Sequence, residues 1–255
     1  MNDVSDKQYH IGLSHEDGAK YAIIPGDPGR VPMIAEYLDN AEAVCCNREF
    51  NTYAGTLEGE RVLVTSTGIG GPSAAICIEE LANVGVDTII RVGTCGGMAA
   101  KVAAGDVVIA SGAIRMDGTS KEYMPIEFPA VADIDVTCAL RQAAVELGAV
   151  SHTGVVHCKD SFYGQQAPRT MGTADELLYK WDAWIKAGAL ASEMESSTLF
   201  VVSALRGIRS GAVFSCVWNQ MTAGEAMPKD RVTDTTTAIK VAVEAMRSLI
   251  RKDRV

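Results

Sequence analysis

Aromatic residues are scarce in this chain, at 6% of 255, and no apolar run approaches the ~18 residues that a membrane span needs. No basic-then-apolar leader opens it. The dinucleotide fingerprint is missing: the turn Gly68–Pro72 lacks the third glycine of G-x-G-x-x-G, and no acidic residue follows at the required distance. There is no triphosphate loop ending in Gly-Lys-Ser/Thr and no G-x-S-x-G nucleophile elbow. Positive charge is in deficit, with 23 Lys and Arg against 32 Asp and Glu. A net charge of −9 excludes the basic stripe that a nucleic-acid partner wants, although a few arginines gathered in one place still bind phosphate. The seven cysteines are odd in number and form no C-x-x-C pair, and several sit in apolar runs where cysteine acts as a small hydrophobe. A reduced, cytoplasmic protein without disulfides or structural zinc is predicted. His152 and His157 are five apart in a predicted strand and so face opposite sides, which makes no metal cluster.

What is present is alternation. Val- and Ile-rich runs at Tyr21–Ile24, Arg61–Ser66, Thr88–Val92, Asp106–Ser111, Gly154–Cys158 and Gly211–Trp218 read as strands. Helical spacing marks Val31–Leu38, Ser73–Asn83, Val136–Leu147, Glu193–Leu205 and Asp234–Arg251, with Ser73 as a candidate cap. Such alternation predicts a single-domain α/β fold: three layers, α/β/α, around a central mixed, mostly parallel sheet. The domain is expected over 10–255, after a disordered or extended segment at 1–9. Arg115–Val131 and Phe162–Ala189 are the least regular stretches and are expected as loops over a site.

Three glycine-rich turns follow predicted strands: Pro25-Gly26-Asp27-Pro28-Gly29-Arg30, Thr67-Gly68-Ile69-Gly70-Gly71-Pro72 and Gly93-Thr94-Cys95-Gly96-Gly97. Glycine lets backbone amides approach and converge on an anion. With Arg30, Arg48 and Arg91 nearby, whose planar guanidinium groups match two phosphate oxygens, the turns point to a phosphate site. Arg91 lies inside an apolar run, where an unpaired charge is costly, so the alternative is a buried ion pair with a carboxylate. In Ser192-Glu193-Met194-Glu195-Ser196-Ser197, two carboxylates at a helix start either answer the helix dipole or accept bonds from the vicinal hydroxyls of a sugar. Phe162, Gln166 and Arg169 combine a ring with amide and guanidinium donors, which suits a planar heterocycle; an ordinary polar surface loop is the alternative. Trp181 and Trp184, at i and i+3, read as helix packing.

These strings together resemble the type I nucleoside phosphorylases over His10 to Ile250. The likeness rests on 25–31 (Pro-Gly-Asp-Pro-Gly-Arg-Val), 48–50 (Arg-Glu-Phe), 66–73 (Ser-Thr-Gly-Ile-Gly-Gly-Pro-Ser) and 91–94 (Arg-Val-Gly-Thr). It extends through 127–133 (Glu-Phe-Pro-Ala-Val-Ala-Asp), 162–163 and 193–196 (Glu-Met-Glu-Ser). It is strongest to the bacterial members that act on uridine. The resemblance implies reversible pentosyl transfer: uridine and inorganic phosphate give uracil and ribose 1-phosphate, with no organic cofactor. It implies that Gly26, Arg30, Arg91 and Thr94 hold phosphate, with Arg48 reaching in from a neighbouring subunit. Thr94, Met194 and Glu195 would hold ribose, with the neighbour's His10 at the 5′-hydroxyl. Cys95, Gly96, Phe162, Gln166 and Arg169 would hold the base. Glu49, Ile69 and Ser73 match positions that coordinate a monovalent cation, potassium, between subunits of a homo-hexamer built as a trimer of dimers.

Purine enzymes of this family carry an aspartate after the last core strand, where this chain has Asn219, which favours a pyrimidine base. Two positions depart from the uridine pattern. Arg169 comes one residue late after Gln166, so either the loop absorbs the shift or Gln165 is the true partner; and Gln220 stands where an arginine is usual. The stretch from Arg169 to Glu193 is also shorter than the family pattern. A purine or broad-specificity phosphorylase is therefore the competing enzyme. A nucleosidase using water leaves the arginines without a purpose, and a non-catalytic nucleoside-binding protein would be expected to lose some of them or Glu195.

Overall fold

The computed structural model describes residues 7–223 and 228–254. The expectation for positions 1–6 lies outside the described residues. From Gln8 the chain is already tied down, with Gln8 N donating to Leu13 O at 2.8 Å. The strands are β1 (Tyr21–Pro25), β2 (Asp39–Asn47), β3 (Phe50–Leu57), β4 (Glu60–Thr65), β5 (Thr88–Gly97), β6 (Val107–Arg115), β7 (Ala130–Val131), β8 (Ser151–Cys158), β9 (Ala191–Glu193) and β10 (Arg209–Asn219). The helices are α1 (Arg30–Ala35), α2 (Gly71–Asn83), α3 (Thr119–Tyr123), α4 (Ile134–Glu146), α5 (Phe162–Gln166), α6 (Ala174–Lys186), α7 (Ser196–Arg206), α8 (Gln220–Ala223) and α9 (Thr236–Asp253).

One mixed sheet runs β10-β6-β8-β9-β5-β1-β4-β3-β2, and β10 also pairs with β5. Strands β5, β10, β6, β8 and β9 therefore close on themselves, while β1, β4, β3 and β2 extend the sheet as an open wing. The central pairs β1–β4, β1–β5 and β5–β10 are parallel, so their carboxyl ends lie together. Parallel strands covered on both faces must be apolar throughout, and every residue of Tyr-Ala-Ile-Ile-Pro in β1 is buried. One face packs on α2 and α7, the other on α1, α4 and α9. The apolar stripe of α9, Ile239, Val243, Met246 and Ile250, is at most 1% exposed. Helix α7 stops at Gly207, whose left-handed φ of 70° forms the C-terminal cap.

Four expectations are corrected. The stretch Phe162–Ala189 is not a loop but holds α5 and the 13-residue α6, and Arg115–Val131 holds α3 and β7. Gly93–Gly97 is not a turn: it is the end of β5, paired with β10 and β9. Glycine is needed there because a Cβ at Gly93 would sit 2.8 Å from the Phe214 ring, and one at Gly97 would sit 2.7 Å from the Asn219 amide. Ser73 does not cap α2. Gly70 holds that place with φ 91°, and the Ser73 hydroxyl turns back to the Thr67 carbonyl and to Glu49.

Candidate active site

A cavity of about 820 Å³ opens at the carboxyl ends of β1, β4, β5, β8 and β10, where ligands of open α/β sheets collect. Its first wall is built from the turns after β1 and β4. Thr67 N and Gly68 N both donate at 2.9 Å, to Pro25 O and Gly26 O, so the two turns form one unit. A Cβ at Gly26 would lie 3.5 Å from the Arg91 guanidinium and 3.1 Å from Gly68 O, so glycine lets this backbone close over the arginine. Arg30 and Thr94 line the same wall. Burial pulls the Arg30 guanidinium below its ordinary value and Arg91 adds to this, while Asp27 opposes it.

Arg91 is 4% exposed and forms the buried ion pair that its place in an apolar run allows. Its Nη2 pairs with a carboxylate, and that carboxylate is Glu195, the residue the resemblance assigns to the sugar. Its Nε is buried with no acceptor among the described residues. Glu195 also accepts from Gly70 N at 2.7 Å. The two carboxylates at the start of α7 thus divide the work. Glu193 accepts from Glu195 N at 2.9 Å and from Ser196 N at 3.0 Å, answering the helix amides. Burial, reinforced by Glu195, pushes the Glu193 carboxyl up. Glu195 faces the cavity and Arg91.

The opposite wall carries Cys95, Gly96, Phe162, Gln166, Met194 and Trp218. Gln165 is committed elsewhere: its Oε1 accepts from Ser192 Oγ at 2.7 Å and its Nε2 donates to Gln220 Oε1 at 3.1 Å. Gln166 is not, since its Oε1 is buried without a donor among the described residues. Of the two glutamines, Gln166 is thus the one with an unengaged side-chain oxygen. Arg169 does not reach this cavity. Pro168 opens a single 3-10 turn, Pro168–Thr170, that carries Arg169 to a second cavity of about 680 Å³ under α6. Reasoning from sequence missed Lys159, a buried cation that borders both cavities. Its signal was the one that marked Arg91, a charge at the end of an apolar strand.

His10 and Arg48 do not line the cavity of their own chain. They sit together on the outer wing: Asn47 Nδ2 donates to His10 O at 2.7 Å, and the Arg48 guanidinium lies 5.9 Å from the centre of the Tyr9 ring. The His10 ring bonds Glu80 at 2.6 Å. Glu49, Ile69 and Ser73 meet at the cavity rim, with Ser73 Oγ donating to Glu49 Oε1 at 3.0 Å and Ile69 79% exposed. Asn219 is 2% exposed and faces away, its amide donating to Ala99 O at 2.8 Å and Val102 O at 2.6 Å. Trp181 and Trp184 lie on α6, where Trp184 stacks on the His157 ring at 4.3 Å.

Residues 20–252 match the family model described as the phosphorylase superfamily. The chain is 52% identical to a uridine phosphorylase of Treponema pallidum, over 98% of this chain and 96% of that protein. It is 42% identical to a uridine phosphorylase of Thermococcus kodakarensis, over 93% and 87% of the two chains. A guanosine phosphorylase of Halorubrum lacusprofundi is 37% identical, over 95% and 99%.

Proposed function

The chain belongs to the phosphorylase superfamily, and we propose that within it the protein is a pentosyltransferase that cleaves uridine with phosphate, reversibly, to uracil and ribose 1-phosphate. The observation that carries this is the Arg91–Glu195 pair at the junction of the two glycine turns, with Arg91 Nε open beside it. Arg91, Arg30, Thr94 and the Gly26 turn hold phosphate below the sugar. Glu195 takes the 2′- and 3′-hydroxyls, since a carboxylate oxygen that already accepts one bond has a second lone pair for another. Its pairing with Arg91 also leaves this part of the wall near neutral, so the carboxylate does not repel phosphate.

A phosphate oxygen then forms a bond to C1′ as the C1′–N1 bond breaks. Positive charge develops on the ribose, and the bound phosphate both stabilises it and acts as nucleophile. The electron pair of the broken bond passes to the base, spreading over N1 and the two carbonyl oxygens, and the uracil anion takes its proton from solvent. Phe162 packs on the base, Gln166 Oε1 accepts its N3–H, and Cys95 and Gly96 border it. At position 219 an amide saturated by backbone carbonyls cannot protonate a purine ring, which favours the pyrimidine.

Sites of this design are shared. We assign Arg48 and His10, clustered on the outer wing, to the cavity of a neighbouring subunit in a homo-hexamer of three dimers. The oxygen-rich set Glu49, Ser73 and the Ile69 backbone fits a hard monovalent cation, potassium, between subunits. The reading places the enzyme in the cytoplasm, in nucleoside salvage and catabolism; no helix among the described residues is long and apolar enough to cross a membrane.

The test is loss of uridine absorbance with and without phosphate, with inosine, guanosine and thymidine on the same plate. Phosphate-dependent loss of uridine, with inosine and guanosine untouched, is expected. Purine cleavage would overturn the base assignment. No turnover of any nucleoside would favour a binding protein on this fold.

A further inference from the structure

The leaving base needs a cation beside its carbonyl oxygens, and Arg169 is turned away from the cavity. Lys159 is not. It is 5% exposed, it follows the last residue of β8, and it borders the base end of the cavity with Gln165, Gln166 and Ser192. Its Nζ donates to Ser192 Oγ at 2.9 Å and makes a long contact to Glu193 O at 3.5 Å. An ammonium has three donors, so a third N–H is without an acceptor among the described residues. Nor does Lys159 form an ion pair with any described carboxylate. Asp160, the next residue, has its carboxylate turned to Gly118 N, and that of Glu193, whose carbonyl Lys159 touches, is taken by the amides of α7.

A buried cation without a directly bonded carboxylate or a full set of acceptors is costly, and a structure keeps one where a ligand completes it. The surroundings hold it in place. Ser192 passes its own proton to Gln165, and Gln165 is anchored on Gln220, so Lys159, Ser192, Gln165 and Gln220 form one buried chain behind the cavity. That chain uses Gln220 where the resemblance leads one to expect an arginine, and it fixes Gln165 so that only Gln166 is left open. The two departures in the base loop and the unexpected lysine are thus parts of one arrangement.

We infer that Lys159, not Arg169, is the catalytic cation of the base end, donating a hydrogen bond to a uracil carbonyl oxygen as negative charge moves onto the base. This rests on the reading of the protein as a uridine phosphorylase. Burial pulls the Lys159 ammonium below its usual value while the carboxylate of Glu193 supports the charge.

The experiment compares uridine with 5-fluorouridine, whose base is a better leaving group and depends less on a cation. In Lys159→Met at saturating phosphate, kcat/KM for uridine is expected to fall about a hundredfold and for 5-fluorouridine about tenfold, so their ratio shifts about tenfold. Arg169→Ala is expected to shift that ratio far less. Both substrates are measured on one preparation, so partial unfolding cancels from the ratio; should Lys159→Met not fold, Lys159→Gln carries the same test. Equal losses for the two substrates would mean that Lys159 only supports Ser192 and Gln165, and would overturn the inference. So would a ratio shift in Arg169→Ala that matched or exceeded that of the lysine variant. If the unaltered enzyme fails to cleave uridine, the parent reading has failed, and the inference with it.

Discussion

The two ends of the cavity are built on opposite principles. At the proposed phosphate end the lining groups belong to strand ends and to two turns locked to each other, and Arg91 is paired with Glu195. At the proposed base end the lining groups come from a buried lysine, a five-residue helix and the end of β5, beside a helix with no fully buried residue. There the cation has no carboxylate partner. The difference teaches where the fold constrains chemistry. Strands β1, β4 and β5 cannot shift without breaking the sheet, so the groups we assign to phosphate are held by the core itself. The base end hangs on hydrogen bonds between side chains, and one proline is enough to send Arg169 elsewhere.

The sharpest way to break this comparison is Arg91→Ala. It removes the proposed central phosphate ligand and leaves Glu195, 5% exposed, without its counter-ion. Phosphorolysis should fall by about 10³-fold or more. Loss of one partner of a buried pair should also cost about 3 kcal/mol of stability in denaturant unfolding. Uracil binding, measured by calorimetry, should survive at least in part, because the base end does not depend on that pair. Ordinary turnover at moderate phosphate would show that the phosphate site is elsewhere.

Asn219→Asp probes the base end by its support. An aspartate there resembles the purine pattern, yet here the side chain serves the backbone carbonyls of Ala99 and Val102. A carboxylate oxygen in place of the amide nitrogen would face two acceptors in a buried site. The expected outcome is a loss of about 2–3 kcal/mol with no gain of inosine cleavage. A stable variant that cleaves inosine would show that position 219 reads the base directly.

Much of the proposed phosphate end is legible in the sequence, because its signals are local. A charge inside Ile89–Val92 and glycines directly after apolar runs need no knowledge of distant contacts. The division between Glu193 and Glu195 is not legible: both occupy alternate positions at a helix start, and only tertiary contacts with Gly70 and Arg91 separate them. Strand β2 escapes notice because it is a mostly exposed, polar edge strand. Strand β3 alternates in burial over much of Phe50–Leu57 and is readable in principle. Helix α6 also has its signal, with Leu177, Leu178, Trp181, Trp184 and Ile185 on one face, but none of them is fully buried and Met171 to Thr173 blur its start. Lys159 carries the same signature as Arg91, one residue beyond the strand, whereas its use in place of Arg169 depends on a turn that no spacing rule specifies.

The smallest expected effect tests whether the base end is held together by neutral contacts. His157 is buried against Trp184, with Ser192 Oγ 3.0 Å from its Nδ1. Burial, and then the neighbouring Lys159, push its imidazole down from 6.5 to about 3. The folded protein therefore keeps His157 neutral at pH values where the unfolded chain has already bound a proton. Its contribution is fully present above pH 6.5 and is lost as pH falls from there toward about 3. The loss in this window runs at about 1.4 kcal/mol per pH unit. Since the slope is only half developed at pH 6.5, denaturant unfolding at pH 6.5 and 5.5 should show a drop of about 1 kcal/mol from this group in the unaltered protein, and a smaller drop in His157→Gln. Equal slopes in the two proteins would mean that His157 is protonated in the folded state, next to a lysine. The Lys159 side chain would then have to be a neutral amine or be displaced, and the contrast between the two ends of the cavity would no longer hold.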